Sequence, residues 1–144
     1  VNIETTLTAD VACVQVDPGI CGFACTVCAR KLEARTVKID IEGSECKQIQ
    51  RLSELITEMG LRDIFLPFTR NPVFVSAEKA GCHPSCVIPT AVIKAAEVAL
   101  GLALKRDVVI HYHEKKAHPR NAIPLWKSGI TLWNSRITTE FPAH

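Results

Sequence analysis

The chain has 144 residues, 47% of them hydrophobic, with 17 basic and 15 acidic side chains for a net charge of +2. That length supports one buried core and is too short for two, and the near-balanced charge leaves no footprint for nucleic acid or an anionic membrane surface. No charge-free apolar run approaches the roughly 20 residues that span a bilayer, and no N-terminal stretch joins a basic region to an apolar run and a small-residue cleavage site. The expectation is therefore a single soluble domain in the cytoplasm, with reduced cysteines.

Residues 11 to 16 run into Asp17-Pro18-Gly19, a strong turn signal, and then into a second extended stretch over 23 to 30. This predicts a β-hairpin with Cys21 at its tip. Period-two alternation puts Phe23, Cys25, Val27 and Ala29 on one face of the second strand and Ala24, Thr26, Cys28 and Arg30 on the other. A third strand is expected over 35 to 42, where Val37, Ile39 and Ile41 alternate with Lys38 and Asp40.

After Gly43, Ser44 is placed to cap a helix with the apolar stripe Ile49, Leu52, Leu55, Ile56 and Met59, and Gly60 is placed to end it. Cys46 falls in its first turn. Residues 61 to 81, with Pro67, Pro72 and scattered aromatics, read as irregular. A second helix is expected over 87 to 104, with Pro89 in the first turn, where a missing N–H costs nothing. Its polar positions are Thr90, Lys94, Glu97 and Gly101, one narrow stripe on an otherwise apolar surface, so it must be covered on most sides.

A closing strand is expected over Asp107 to Glu114, in either phase. Up to Lys116 basic and acidic residues balance at 14 each, whereas residues 117 to 144 hold three basic residues, one acidic residue, both tryptophans and three of the eight prolines. The chain thus divides into a domain over 1–116 and an extension over 117–144. The extension reads as an appended segment, native or non-native, that can swap onto a neighbouring chain, with a strand pair over Gly129 to Phe141. The expected partner is a second copy of the chain, in a homo-oligomer.

Seven cysteines carry the chemistry. Cys21 lies at the hairpin tip, Cys46 and Cys86 at predicted helix starts, and Cys82 four residues before Cys86 across Pro84. Unpaired N–H groups and the helix dipole at a helix start stabilise a thiolate, so Cys46 and Cys86 are expected to have lowered pKa values. Four thiolates around one centre are the ligand set of a structural zinc site or a small iron-sulfur cluster. Metal ligation by Cys21, Cys46, Cys82 and Cys86 is the function expected, with no catalytic residues. A thiol-disulfide module using Cys82 and Cys86, with Cys86 attacking, also fits these residues. So does an oligomerisation or binding module in which the cysteines are core.

Cys21, Cys25 and Cys28 have the spacing that holds a four-iron cluster in radical SAM enzymes, but those enzymes need a longer barrel, and alternation turns Cys25 and Cys28 to opposite faces. His111 and His113 form an HxH pair that reads as a solvent-facing strand edge before it reads as a metal dyad, and His83 reads as a turn residue beside the thiols. No Gly-rich phosphate loop, HExxH or GxSxG is present, and no carboxylate pair stands out as acid and base.

Gly19-Ile20-Cys21-Gly22-Phe23, Ser44-Glu45-Cys46, Cys82-His83-Pro84-Ser85-Cys86 with Pro89, the run from Ile93 to Leu104, and Asp107-Val108 together resemble a family of small uncharacterised proteins of anaerobic bacteria and archaea. The likeness covers residues 10 to 115. It implies that Cys21, Cys46, Cys82 and Cys86 belong together and that the native body ends early; it implies nothing about substrate. A fainter likeness to the TSCPD domain carries no role. The fold expected is α+β, a mostly antiparallel sheet of about four strands covered by two helices in the order β-β-β-α-α-β.

Overall fold

The computed structural model describes residues 10–113. Contacts divide the chain into two units, Val1–Asp107 and Val108–His144. All helices and strands among the described residues lie in the first. In chain order they are β1 (Val11–Val16), β2 (Cys25–Glu33), β3 (Thr36–Glu42), α1 (Lys47–Leu55), β4 (Glu58–Gly60), α2 (Leu61–Ile64), α3 (Pro72–Ala80) and α4 (Ile88–Ala99). The four strands form one antiparallel sheet in the order β1-β2-β3-β4. This is the α+β class with a four-stranded antiparallel sheet that the sequence predicts.

The hairpin follows from its turn. Asp17 accepts a hydrogen bond through Oδ1 from the Gly19 N–H at 3.0 Å, and Gly22 N–H donates to the Gly19 carbonyl at 2.9 Å. The reversal sets a register in which Val16 faces Cys25, Val14 faces Val27 and Cys13 faces Cys28. Alternation then sorts the faces: Ala12 and Val16, Cys25, Val27 and Ala29, and Val37 and Ile39 are buried inward, while Thr26, Arg30 and Lys38 point out.

The inner face is covered by helices. Nearly all of α4's surface is apolar, and Ile88, Val92, Ala95, Ala96 and Ala99 are buried. Ile49 and Leu52 of α1 join the same core, with Val73, Ala77 and Ala80 of α3. The small alanines let helix and sheet close together, and branched residues fill the space between them.

Four details differ from the sequence reading. First, α1 stops at Leu55, and the residues expected to form its last turn become β4, with Val37 opposite Met59 and Ile39 N–H donating to the Thr57 carbonyl at 2.8 Å. The apolar spacing of Ile56 and Met59 suits a helix, but the open edge of β3 has backbone groups to satisfy, and β-branched Thr57 favours extension. Gly60 is accordingly extended and does not end the helix.

Second, α2 and α3 occupy the stretch read as irregular. The signals for α3 are local: Asn71 Oδ1 accepts from the Val73 N–H at 3.0 Å, Pro72 opens the first turn, and Gly81 at φ 77° closes the last. Third, α4 ends at Ala99 instead of 104. Gly101 at φ 74° lets its own N–H donate to the Val98 carbonyl and that of Leu102 to Glu97, a paired bonding pattern that terminates the helix.

Fourth, the closing strand is absent: residues 107–113 have no helix or strand and are exposed, and Glu114 lies outside the described residues. The place beside β3 that a fourth strand could take is filled by β4. His111 and His113 are exposed. The extension over 117–144 and its strand pair over Gly129 to Phe141 also lie outside the described residues.

Leu52 is wholly buried beneath the sheet. Leu52→Ala should lower unfolding free energy by about 2–5 kcal/mol, read as a reduced urea midpoint with little change in slope. A loss under about 1 kcal/mol would mean that α1 does not seal this core.

Candidate functional site

One end of the sheet collects chain ends from several elements. β1 finishes there at Val16, β2 starts at Cys25 opposite it, and β3 finishes at Glu42 opposite Thr26. The hairpin loop carrying Cys21 and the lead into α1 carrying Cys46 therefore leave from this end. Cys25, the first residue of β2, is buried in the core, and Cys46, Cys82 and Cys86 are partly buried against that core. Cys21 is exposed.

Each thiol is placed by local backbone chemistry. Cys46 is itself the residue that caps α1, not a member of its first turn; its N–H donates to Ser44 Oγ at 3.2 Å and its thiol donates to Gln48 Oε1 at 3.1 Å. Cys82 follows Gly81 at the end of α3, and its N–H donates to the Ala77 carbonyl at 2.9 Å. Gly81 must be glycine-like here because its positive φ turns the chain toward Cys82. Cys86 N–H donates to the His83 carbonyl at 3.0 Å, closing the turn between the two cysteines. His83 itself is exposed.

The thiols lie within reach of one another's charge. Burial, followed by the neighbouring Cys86 and Cys46, pushes both Cys25 and Cys82 from 9.0 up to about 11. Cys86 is also pushed up, by burial first, and Cys46 and Cys21 add to the rise; a hydrogen bond from the Ile88 backbone N–H pulls the other way without cancelling it. This corrects the expectation of a lowered Cys86 pKa. The helix-start N–H is present, but loss of water and crowding by other thiols outweigh it. A raised Cys86 pKa makes its thiolate scarcer, which weighs against Cys86 as the attacking partner of Cys82.

Among the described residues, no three His, Cys, Asp or Glu side chains are arranged as a group that could hold a metal ion. Of the thiols expected to act together, Cys86 feels Cys46 and Cys21, and Cys82 feels Cys86 and Cys46, but they form no coordination shell. Cys25 is the member that sequence reasoning left out. Its inward phase on β2 was legible, and so was its position next to the hairpin loop.

The remaining two cysteines, Cys13 and Cys28, form a disulfide across β1 and β2, which corrects the expectation that the cysteines are reduced. Cys28 lies on the face opposite Cys25, so the radical SAM spacing does not bring three thiols together. The bond was within reach of the sequence: a hairpin centred on residues 20 and 21 pairs positions whose numbers sum to 41, and 13 and 28 do so.

Two recesses flank these elements. A shallow one of about 170 Å³ lies beside Cys25, between Gln15, Thr26 and Glu42. A larger one of about 340 Å³ runs between the α2–α3 segment and α4, lined by Phe68, Phe74, Thr90, Lys94 and Glu97. The narrow polar stripe of α4 borders this second groove. No helix among the described residues is long and apolar enough to cross a membrane.

Raised thiol pKa values have a consequence for stability. Between pH 9 and 11 the unfolded chain releases protons that folded Cys25 and Cys82 retain, so the unfolded state binds fewer protons and stability falls as pH rises through this window. Urea midpoints of the reduced, metal-free protein should decline from pH 9 to 11, and less so after Cys25→Ser with Cys82→Ser. An equal decline in that variant would show that these thiols are not the source.

Residues 12–112 match a family of unknown function, DUF6951, in agreement with the resemblance to an uncharacterised family over 10 to 115. No curated protein and no solved structure matches the chain.

Proposed function

The chain belongs to the DUF6951 family of unknown function, and on that premise we propose from its own thiols that it is a metal-binding protein. Cys21, Cys46, Cys82 and Cys86 take zinc or an iron-sulfur cluster at the loop end of the sheet. The observation that supports this reading is the gathering of unpaired thiols from the hairpin loop, the start of α1, and the turn between α3 and α4. Burial and mutual repulsion raise the pKa values of Cys82 and Cys86. A bound cation reverses that balance, because it replaces repulsion among thiolates with attraction to a shared positive centre.

Coordination requires the sulfurs to draw inward from their present positions. Cys21 sits in a loop and Cys82 to Cys86 in a turn, so these segments can move without disturbing the ladder of β1, β2 and β3. Soft thiolate ligands select zinc, copper(I) or iron-sulfur clusters over magnesium or calcium. The chemistry assigned to the site is structural or electron-carrying, and no residue is assigned a catalytic role.

Anaerobic purification followed by measurement of metal, acid-labile sulfide and visible absorbance per chain tests the reading. Iron with sulfide establishes a cluster and zinc alone a structural site. A colourless, folded protein that takes up neither refutes both. Ligand thiols lose their protons on binding, so apparent zinc affinity should weaken as pH falls from 8 to 6. Cys46→Ser, Cys82→Ser and Cys86→Ser should each weaken it by more than about 100-fold, beyond the roughly 10–100-fold that loss of an outer-shell partner costs. PH-independent affinity would mean that the metal is held by other groups.

A further inference from the structure

The Cys13–Cys28 disulfide stands apart from the thiols just described. It joins directly opposed residues of β1 and β2, on the face of the sheet away from the helices. Cys13 is exposed, Cys28 is half-buried, and β1 is the outer strand of the four. Across β2, Cys28 and the buried Cys25 point to opposite sides. The sheet therefore places the core thiol Cys25 and the Cys13–Cys28 bond on opposite faces.

We propose that the Cys13–Cys28 pair is a thiol-exchange site on the open face of the sheet, reduced and reformed by an external dithiol without loss of the fold. Three features favour exchange over a purely structural bond. The attacked sulfur belongs to an exposed residue, and exposed disulfides have the higher potentials of labile or catalytic bonds. Nor is the bond needed to hold β1 to β2, because the two strands already share a full antiparallel register from Val11↔Arg30 to Val16↔Cys25. The inner faces of the same strands are fixed by the core through Ala12, Val27 and Ala29, all at most 2% exposed.

In the reductive direction one thiolate of the dithiol attacks Cys13 Sγ. The Cys13–Cys28 bond breaks, a mixed disulfide forms at Cys13, and Cys28 leaves as a thiolate that takes a proton from water. The second thiol of the dithiol then loses its proton, attacks its own partner sulfur and releases Cys13, which is protonated in turn. Two electrons and two protons have moved: the protein holds two thiols and the dithiol has become a disulfide. The oxidised form of the same reagent runs the sequence backwards. None of these steps involves the proposed metal ligands, so the inference does not depend on the metal reading.

The test is a redox titration of the full chain in graded mixtures of reduced and oxidised dithiothreitol, quenched with a maleimide and mapped by peptide mass. The expected result is one step in which Cys13 and Cys28 gain label together, two labels per chain, with the circular dichroism spectrum unchanged and the step reversible. In Cys13→Ser with Cys28→Ser, both replaced on the solvent side of the sheet, the spectrum should be retained and the step lost. Full labelling of both residues even after equilibration with oxidised dithiothreitol would overturn the proposal. So would protection that yields only in denaturant, or label at one residue of the pair alone.

Discussion

Val27 and Ala29 of β2 are fully buried on the inner face of the sheet, where α4 packs with Val92, Ala95 and Ala96 equally dry. Everything else in the molecule is arranged around that seating. Three alanines between the branched residues let the helix lie close to the strands, and at that distance neither partner has surface left to solvate. The contact also fixes where α4 begins. A displacement of one turn, about 5.4 Å along the axis, would carry Cys86 away from Cys25, which feels its charge, and from Cys46, whose charge it feels. Core packing and the thiol neighbourhood are thus one constraint seen from two ends.

Burial also decides the chemistry of the thiols. A helix start contributes about 0.3–1 kcal/mol to a nearby anion, while one pKa unit corresponds to about 1.4 kcal/mol and desolvation can move a buried group by several units. With Ile88 N–H on one side of the balance and burial plus Cys46 and Cys21 on the other, Cys86 moves upward. Position in the sequence showed the helix-start N–H and concealed burial, the larger effect, because exposure depends on α4 and β2 meeting. The same contact accounts for the omission of Cys25, whose inward phase was clear but whose distance from Cys86 and Cys46 was not. The loop and helix-end positions of Cys21, Cys46, Cys82 and Cys86 were legible in the sequence.

For the fold, the strands β1, β2 and β3 could be read directly, since alternation and the Asp17-Pro18-Gly19 turn act over a few residues. The bounds of the helices could not. Ile56 and Met59 satisfy a helical period and a strand equally, and the choice falls to the open edge of β3, which lies far off in sequence. Asn71, Pro72 and Gly81 gave α3 a complete set of start and stop signals, obscured by the neighbouring prolines and aromatics. Val108, Val109, Ile110 and Tyr112 carry strand-like composition, yet all are at least 62% exposed. Composition names a residue's preference and does not by itself make a strand.

X-ray absorption at the zinc edge of the zinc-loaded protein tests the central claim, that the gathered thiols form one ligand set. Four sulfur scatterers at about 2.3 Å are predicted for the intact chain, reduced in number after Cys82→Ser. A first shell of nitrogen or oxygen near 2.0–2.1 Å, unchanged in that variant, would contradict the account and return the thiols to the core.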